Sequence, residues 1–534
     1  MAEIGDFKVT EEEYLGAFRN IFERSGRALQ VTSSLLREIL DQRVAFYGAV
    51  QYGMDKNWHQ DQAGIYQKNL IYRQVMMDEF KRSIIGPQVS ITEEDLQQLF
   101  LRYNTHLRAS HLYAPDRESA DSLYNMVASG ISFEQIASEI FESSSLRNSG
   151  GDLGFFTVDD MDVGFEAAAY SLPVGEVSTP VRTSTGFSII KVTERLTSPL
   201  LTEYQYAQSR QNLRELAVRQ KTELKRREHM DQVIDRFEFN RELMMQLWEK
   251  LEPKLDFGPS ADIEMESFGS NVPDDWHSRT LGIHEGYEVT VGAFLQEVFF
   301  TPFESREKIR SWRQFQNLVE GVAYRSYAMH AYLNSHAYDE ETVALSVENT
   351  FQNYLNRRLT ATLRDELVIT DDIKRAEFER NRGDYIHPRE VNLAELAVRD
   401  MEIAEEAYLA IKNGMPFREA LAKYGFDEEA KLVDGEIGYT PVTHFGSIAP
   451  SLSGIQPGDI AGPFEMRSDV VFLFKCLGVR EAHAMTYEEA KPVILENLTG
   501  EHIAKKRRQA ISETLERHDA VIHYNRIDDV KLQL

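Results

Sequence analysis

Two long stretches of this chain share one sequence pattern, and the second lies 284 positions after the first. The first stretch runs from residue 107 to residue 191, and the second from residue 391 to residue 475. The matching positions include the pairs His111 and Glu395, Gly154 and Gly438, and Lys191 and Lys475. A repeat of this length predicts two copies of one domain. The differences between the copies indicate which copy could keep a catalytic site.

The size and the charge of the chain narrow the possible functions. A chain of 534 residues is too long for one hydrophobic core, so several domains are expected. The formal net charge is -27, from 86 acidic and 59 basic residues. A nucleic-acid partner is not expected, because binding to phosphates needs a basic surface. The same charge disfavours binding to anionic membrane surfaces.

Cysteine and histidine usage gives no sign of a cofactor. The single cysteine, Cys476, lies in an apolar run that is typical of a buried strand. One cysteine cannot form an intrachain disulfide, and no thiol-based metal site can be assembled. The histidines lack the spacing of metal ligands. We therefore expect neither a metal nor another cofactor.

The sequence also bears on location. It has no run of about 18 apolar residues, so no integral membrane segment is expected. The first six residues lack the basic and apolar regions of a signal peptide. Residues 4–10, however, resemble the opening strand of a domain. Taken literally, the sequence predicts a protein that stays where it is made, whereas this abrupt start favours a chain whose signal peptide has been removed.

Each half of the chain has the same order of predicted elements: helices, a small α+β domain, and one long charged helix. Residues 106–196 follow the order β-α-α-β-α-β, which predicts a compact α+β domain. The predicted segments are an N-terminal helical module (1–105), a first α+β domain (106–196), a returning long helix and linker (197–286), a second helical module (287–388), a second α+β domain (389–482), and a C-terminal helix with a short strand (483–534).

Three further expectations concern the helices. Gly53 is expected to interrupt the helix that begins near residue 31. Pro492 and Gly500 are expected to kink or break the second long helix. Each long helix must bury its apolar face, and the helices at the start of its own half are the nearest candidates. The sequence thus predicts two largely helical modules, each with one inserted α+β domain.

The first α+β domain resembles the parvulin family of peptidyl-prolyl cis-trans isomerases. The resemblance depends on several elements that keep the order and spacing of the family: the strand with His111, the run 149–156, Met161 with Phe165, and the runs 175–181 and 185–192. A single Gly-Gly-Asp-Leu-Gly would be weak support, but the whole series is specific. It implies a four-stranded sheet with helices in each copy.

The complete chain resembles periplasmic foldases of the SurA, PpiD and PrsA kind, in which helices around a parvulin domain hold unfolded polypeptide. The flanking helices match in layout rather than in motif. The resemblance implies a periplasmic or exported foldase chaperone that assists exported proteins, with unfolded or proline-containing polypeptides as partners. Two alternatives stay open: a non-catalytic holdase chaperone, and a structural subunit of a cell-surface assembly. The sequence does not indicate the oligomeric state.

The resemblance assigns a group of apolar residues to substrate binding. Leu153, Met161 and Phe165 would form the pocket for the proline ring, and Phe187 is a further candidate. Such a pocket would exclude water from the amide, and desolvation weakens the amide resonance that resists rotation. All three pocket residues of the family are present in the first domain.

The resemblance also implies a polar floor, and here the chain departs from the family. His111 stands at the position of the histidine in the first strand. The loop cysteine or aspartate of the family falls on Ser143, or on Ser144 if the loop is one residue shorter. The second histidine of the family has become Ser188. Serine can still donate and accept hydrogen bonds, so reduced activity is expected. The alternative is that His111 is a core histidine in a domain that only binds polypeptide.

The second copy has lost more of the site. Glu395 replaces the strand histidine, and no methionine–phenylalanine pair is apparent between residues 439 and 457. His444 is a lone histidine in a loop and receives no role. We predict that the second domain is catalytically inert.

Three carboxylates, Asp159, Asp160 and Asp162, surround the pocket residue Met161. One interpretation is a preference for substrates with a basic residue near proline, and the other is a solvated acidic loop. A calcium site is not expected, because the ligand spacing and glycine of a calcium loop are missing.

Overall fold

The structure is a computed structural model that describes residues 1–25, 31–197, 202–251, 271–301, 309, 311–425, 434–467 and 470–527. Most of the predicted linker, residues 252–270, lies outside the described residues. Three threonines form capping boxes at the starts of helices: Thr92, Thr202 and Thr486. In each box the hydroxyl accepts a hydrogen bond from an amide of the first turn, which would otherwise lack a partner.

The first half of the chain contains seven strands and ten helices among the described residues. In chain order these are β1 (Ala2–Ile4), β2 (Phe7–Val9), α1 (Glu11–Ser25), α2 (Ser33–Asp55), α3 (Gln62–Phe80), α4 (Glu93–Tyr103), β3 (Thr105–Ala114), α5 (Arg117–Ala128), α6 (Phe133–Ile140), α7 (Ser144–Asn148), β4 (Asp152–Phe156), α8 (Val163–Ser171), β5 (Val181–Arg182), β6 (Phe187–Thr197), α9 (Glu203–Asp235), β7 (Glu238–Phe239) and α10 (Arg241–Leu251).

The second half repeats this order with small differences. Its elements are β8 (Thr280–His284), β9 (Tyr287–Thr290), α11 (Val291–Glu297), α12 (Trp312–Leu333), α13 (Glu340–Asp365), α14 (Asp371–Arg380), β10 (Ile386–His387), β11 (Glu390–Val398), α15 (Met401–Lys412), α16 (Phe417–Tyr424), β12 (Glu436–Pro441), α17 (Ala449–Leu452), β13 (Ile460–Arg467), β14 (Val470–Arg480), β15 (His483–Ala484), α18 (Tyr487–Arg517) and β16 (Val521–Ile522).

The contacts of the chain define two units. One unit comprises Met1–Tyr52 and Asn356–Leu534, and it contains the second α+β domain. The other unit comprises Gly53–Leu355, and it contains the first α+β domain together with α9 and α12.

The first α+β domain is an antiparallel sheet of four strands in the order β4-β3-β6-β5. Successive side chains of a strand point to opposite faces of the sheet. Leu112 and Ile189 pack with Phe133 of α6 on one face. Ile190 packs with Phe165 of α8 on the other face. Both faces of the central strands are therefore buried at this level, which explains the adjacent apolar residues Ile189 and Ile190 in β6.

The second α+β domain has the same topology, with the strand order β12-β11-β14-β13. Its central pair also keeps the same register, since Glu395 lies opposite Phe474 just as His111 lies opposite Ile190. The predicted α+β class and the internal repeat are thereby confirmed.

Short strands at the ends of the two halves pair with strands of the opposite half, which the sequence did not predict. The hairpin β1–β2 opens the first half, and its third strand is β16 from the end of the second half, with Ala2 opposite Ile522. The hairpin β8–β9 opens the second half, and its third strand is β7 from the first half, with Phe239 opposite Gly282. Each half therefore supplies the closing strand of the other half's hairpin.

Each long helix packs against the helix that precedes the inserted domain of its own half: α9 against α4, and α18 against α14. Helix α9 also contacts α12, which belongs to the second half. Leu213 and Ala217 of α9 are buried in the same cluster as Leu96 and Leu99 of α4. The apolar stripe of α9 thus has partners from both halves.

The expected interruption at Gly53 and the expected break in the second long helix were wrong, while a kink at Pro492 stays a prediction. Helix α2 continues through Gly53 to Asp55, and α18 is one helix from Tyr487 to Arg517 that includes Pro492. Packing explains both results, because a buried face stabilises a helix by more than one glycine or one lost hydrogen bond costs. Ile494 and Leu498 of α18, for example, are buried in a cluster with α14.

Dividing the chain between residues 260 and 261 is expected to give two fragments that fold only together. Fragment 1–260 lacks β16, and fragment 261–534 lacks β7, so each exposes an unpaired strand edge and an incomplete core. We expect co-expressed fragments to co-purify in a one-to-one complex that melts within about 10 °C of the intact chain. Gel filtration and circular dichroism of the complex and of each fragment measure this. Two fragments that are each stably folded and monomeric would contradict the exchanged pairing.

Candidate active site

The centre of the site is a histidine–serine pair on neighbouring strands of the first α+β domain. The Nδ1 atom of His111 on β3 lies 3.3 Å from the Oγ atom of Ser188 on β6. Tyr113 pairs directly with Ser188 in the β3–β6 ladder. His111 is two residues from Tyr113, so both side chains point to the same face as Ser188. Of the predicted polar residues, the structure brings together His111 and Ser188.

A close backbone contact fixes the strand at His111. The His111 amide donates to the carbonyl of Gly151 at 2.9 Å. Gly151 has a φ of +78°, and a Cβ atom there would lie 2.2 Å from the carbonyl oxygen of His111. Only glycine can adopt this conformation at such a short distance. The Gly-Gly pair before β4 therefore has a structural role in supporting the strand of the histidine.

Burial controls the protonation of His111. The pKa of the imidazole is lowered to about 4, because the charged form would lose its hydration at this half-buried position. The ring lies against two aromatic side chains, with centroid distances of 5.5 Å to Phe141 and 6.1 Å to Phe165. At neutral pH the imidazole is therefore neutral and has one donor and one acceptor nitrogen.

An apolar wall lies beside this pair. Phe165 on α8 is 4% exposed, and its ring centroid is 5.8 Å from that of Phe156. Leu153 and Met161 are half-buried and pack against the same cluster. The three predicted pocket residues and His111 are thus close together in one part of the domain. The arrangement can hold a small apolar ring next to a neutral hydrogen-bonding group.

Two predicted site residues lie elsewhere. Ser143 is exposed at the N-cap position of α7, and its carbonyl accepts a hydrogen bond from Arg147. Within the described residues, the hydroxyl that contacts the His111 ring is that of Ser188. Phe187 packs on the α5–α6 face, the opposite side of the sheet from Ser188. Roles for Ser143 and Phe187 stay predictions that this geometry does not favour.

Two aromatic residues that sequence reasoning missed lie at the site. The ring of Phe141 stacks on His111 with an interplanar angle of 29°. Tyr113 shares the face of His111, and its hydroxyl donates to the carbonyl of Thr185 at 2.7 Å. The alternation of β3 could have identified Tyr113. No periodic signal exists for Phe141, because it follows the end of α6.

The acidic loop around Met161 fits neither of its two interpretations completely. Asp159 and Asp162 form ion pairs with arginines of α9. Asp160 accepts hydrogen bonds from the amide and the hydroxyl of Thr157. The loop is therefore attached to α9, although Asp159 and Asp160 remain exposed.

The equivalent positions of the second domain hold different side chains. Phe445 stands at the position of Met161, Ala449 at that of Phe165, and Phe472 at that of Ser188. The rings of Phe445 and Phe472 each lie about 6 Å from Phe474, at 6.1 Å between centroids. An aromatic cluster therefore occupies the face where the first domain has its histidine–serine pair. His444 is exposed in the neighbouring 3-10 segment.

Two segments of the chain match a known domain family. Residues 91–196 and residues 369–492 each match the PPIC-type PPIase domain. Both matches include the helix before the sheet and the complete four-stranded domain. The two copies predicted from the repeat are therefore both of this type.

Curated relatives include foldases. The foldase protein PrsA of Geobacillus kaustophilus is 28% identical over 207 residues, which cover 36% of this chain and 70% of the relative. The foldase protein PrsA of Oceanobacillus iheyensis is 40% identical over 106 residues, which cover 20% of this chain and 36% of the relative. The chain therefore spans about a third of the length of this second relative.

Solved structures include PrsA from Bacillus anthracis, which is 23% identical. The aligned part covers 41% of this chain and 95% of the solved chain, with a TM-score of 0.22.

The two matched segments define the class: this chain contains two parvulin domains of the PPIC type. Over part of its length the chain is similar to foldases of the PrsA kind. The resemblance inferred from the sequence is thereby confirmed. Within the described residues, no helix is long and apolar enough to cross a membrane, and no group of three or more His, Cys, Asp or Glu side chains could hold a metal ion.

Lowering the pH from 7 to 5 is expected to destabilise the first parvulin domain through His111. The pKa of the ring is 6.5 in the unfolded reference and about 4 in the folded domain, so in this window the unfolded chain binds a proton that the folded domain does not. The free energy of unfolding should fall by about 2 kcal/mol by pH 5. Native-state hydrogen exchange of β3 amides at both pH values measures this loss.

The matched control for this pH dependence is His111→Gln. Its free energy of unfolding should not show this loss between pH 7 and pH 5. An NMR titration of the His111 ring gives an independent reading. A midpoint near the ordinary value of 6.5 would show that burial does not control this histidine.

Proposed function

We propose that this chain is a foldase in which the first parvulin domain is a peptidyl-prolyl isomerase of reduced activity. In the proposal, the second parvulin domain is not catalytic, and the helical modules hold unfolded polypeptide. The observation that supports catalysis most directly is the neutral His111–Ser188 pair beside the wall of Phe165, Met161 and Leu153. Both the wall and the pair lie on the same face of the sheet.

Prolyl isomerisation needs no bond to be made or broken. The rotation barrier of about 18–20 kcal/mol comes from the partial double bond of the amide. A site lowers this barrier if it is complementary to the twisted amide, in which resonance is lost. An apolar wall that holds the proline ring and keeps water from the carbonyl favours that state. Leu153, Met161 and Phe165 would supply this part of the site.

The polar part of the site would act through hydrogen bonds. In the twisted amide the nitrogen becomes pyramidal and gains a lone pair that can accept a hydrogen bond. The neutral His111 ring and the Ser188 hydroxyl can share one hydrogen bond and leave a donor for the substrate. One histidine and one hydroxyl form a smaller network than two histidines with a loop cysteine or aspartate. We therefore expect a lower rate than in a parvulin with the complete set.

The second domain supports a binding role rather than a catalytic one. Glu395 replaces His111, and Phe472 replaces Ser188, so neither group of the hydrogen-bonding pair is present. A chain in which neither domain catalyses would be a holdase, and this is the second candidate function. The aromatic cluster around Phe474 is the observation that favours it.

Clients and location belong to the same proposal. Unfolded or proline-containing polypeptides are the expected partners, and a periplasmic or extracellular location is the expected place of action. The support comes from relatives that are named foldases. The net charge of -27 also suits a protein that must stay dispersed while it binds apolar segments.

The isomerase proposal predicts the order of rates in a protease-coupled proline-peptide assay. The wild-type chain should accelerate cis–trans exchange above background. His111→Ala should reduce the acceleration about tenfold or more, because it removes the ring that faces the wall. Glu395→Ala, the equivalent change in the second domain, is the matched control and should leave the rate unchanged.

The same three proteins separate catalysis from holding. All three should suppress the aggregation of a chemically unfolded protein to the same extent. Equal background rates for the wild type and His111→Ala would remove the isomerase and leave the holdase. A wild type that does not suppress aggregation would remove the chaperone part.

A further inference from the structure

Helix α9 is attached to the segment that carries the apolar wall of the isomerase site. Arg227 of α9 donates to both carboxylate oxygens of Asp162, each at 2.8 Å. Both side chains are only 16% exposed, so this bidentate ion pair is shielded from water. Burial opposes ionisation of Asp162, but the hydrogen bonds and charge of Arg227 together with the amides of Ser184 and Gly164 outweigh it and lower the pKa of the carboxyl. The pair is therefore charged across the physiological pH range.

The same carboxylate holds three backbone amides of the site. Asp162 accepts hydrogen bonds from Gly164 at 2.9 Å and from Phe165 at 3.4 Å. It also accepts one from Ser184 at 3.0 Å. The first two amides begin α8, and Ser184 lies in the turn before β6, the strand of Ser188. One carboxylate thus connects the helix of the wall, the strand of the polar pair and α9.

A second carboxylate makes a similar connection. Glu166 is 3% exposed, and its Oε1 atom accepts a hydrogen bond from the Met161 amide at 2.9 Å. Its Oε2 atom accepts one from Nε2 of Gln220 on α9 at 3.2 Å. Gln220 lies two turns before Arg227, on the same side of the helix. Both Met161 and Phe165 are therefore held through a carboxylate that α9 contacts.

The second parvulin domain has lost these connections. At the repeat spacing of 284, Gly446 and Ile511 stand in place of Asp162 and Arg227. Pro450 and Ala504 stand in place of Glu166 and Gln220. Thr443 and Ile503 stand in place of Asp159 and Arg219. None of the replacements can form an ion pair or a hydrogen bond between side chains. The domain that lacks the histidine–serine pair therefore also lacks the connection to its long helix.

We infer that Arg227 and Gln220 are positioning residues of the isomerase site. They act through the two carboxylates and hold Met161 and Phe165 where the proline ring binds. The inference rests on the proposed function, since it concerns the same pocket. It assigns the complete site to the parvulin domain and α9 together, rather than to the parvulin domain alone.

The test uses three variants of the full chain. Arg227→Gln removes the charge and the bidentate geometry, whereas Arg227→Lys keeps the charge but not the fork of the guanidinium. Lys225→Gln is the matched control, because Lys225 pairs with Glu228 on α9 itself. NMR exchange spectroscopy with a proline-containing tetrapeptide gives two readouts: the Kd of the peptide and the cis–trans exchange rate at saturation.

We expect Arg227→Gln to weaken peptide binding about tenfold while the exchange rate at saturation stays within about twofold. Arg227→Lys should recover part of the affinity, and Lys225→Gln should match the wild type. A merely structural role would give a different pattern, in which fewer molecules are folded and the total rate falls with an unchanged Kd. That pattern, or wild-type values for Arg227→Gln, would overturn the inference.

Hydrogen exchange provides a readout that does not depend on activity. The Met161 amide, which donates to Glu166, should exchange faster in Gln220→Ala. The Gly164 amide, which donates to Asp162, should exchange faster in Arg227→Gln. Neither amide should change in Lys225→Gln. Gln220→Ala removes one neutral hydrogen bond, so it remains informative if Arg227→Gln does not fold. Unchanged protection of Met161 would overturn the inference. If the wild-type chain does not catalyse cis–trans exchange, the proposed function is refuted. The peptide affinities and the protection of the two amides would then still decide whether Arg227 and Gln220 position the pocket.

Discussion

The pairing of β3 with β6 is the constraint on which the site depends. His111 lies opposite Ile190, and Tyr113 lies opposite Ser188, so the imidazole and the hydroxyl share one face of the sheet. A shift of one residue would turn His111 towards α5 and α6, where Leu112 now packs. The site therefore requires a fixed register, and the two buried faces of the sheet provide it, because a slipped strand would expose apolar side chains to water.

The same constraint explains what the repeat can and cannot vary. The second domain keeps the register of the first, with Glu395 opposite Phe474. Its loss of the Ser188 equivalent therefore reflects a change of side chain at an unchanged strand register. At the equivalent of Met161 the backbone also differs, because Val442–Ile448 is a 3-10 segment. An aromatic cluster fills the space, and burial of phenylalanine stabilises the domain without any catalytic group. Under the proposed function, the duplicated fold would separate binding from catalysis, with one function in each copy.

The sequence predicted those parts of the site that lie in periodic elements. His111 and Ser188 are strand residues that the family resemblance placed at the polar floor, and the structure brings them together. Ser143 follows the end of α6, where no period fixes the position of a side chain, and it is exposed. Phe187 is adjacent to Ser188, and adjacent strand residues point to opposite faces, so the alternation already argued against placing both in one pocket. The stacking of Phe141 on His111 depends on a loop path that no local pattern encodes.

The exchanged strands and the contacts of α9 could not be predicted from the sequence either, because both depend on pairs of residues that are far apart in the chain. They have a common consequence for the unit that contains the first parvulin domain. Helix α9 contacts Asp162 and also packs against α4 and α12, and the strand β7 that follows it closes the β8–β9 hairpin. A buried ion pair is costly to break when one partner moves away from the other. A displacement of α9 by polypeptide held on the helices would therefore reach Phe165 through Asp162, and holding and isomerisation would be coupled through one helix.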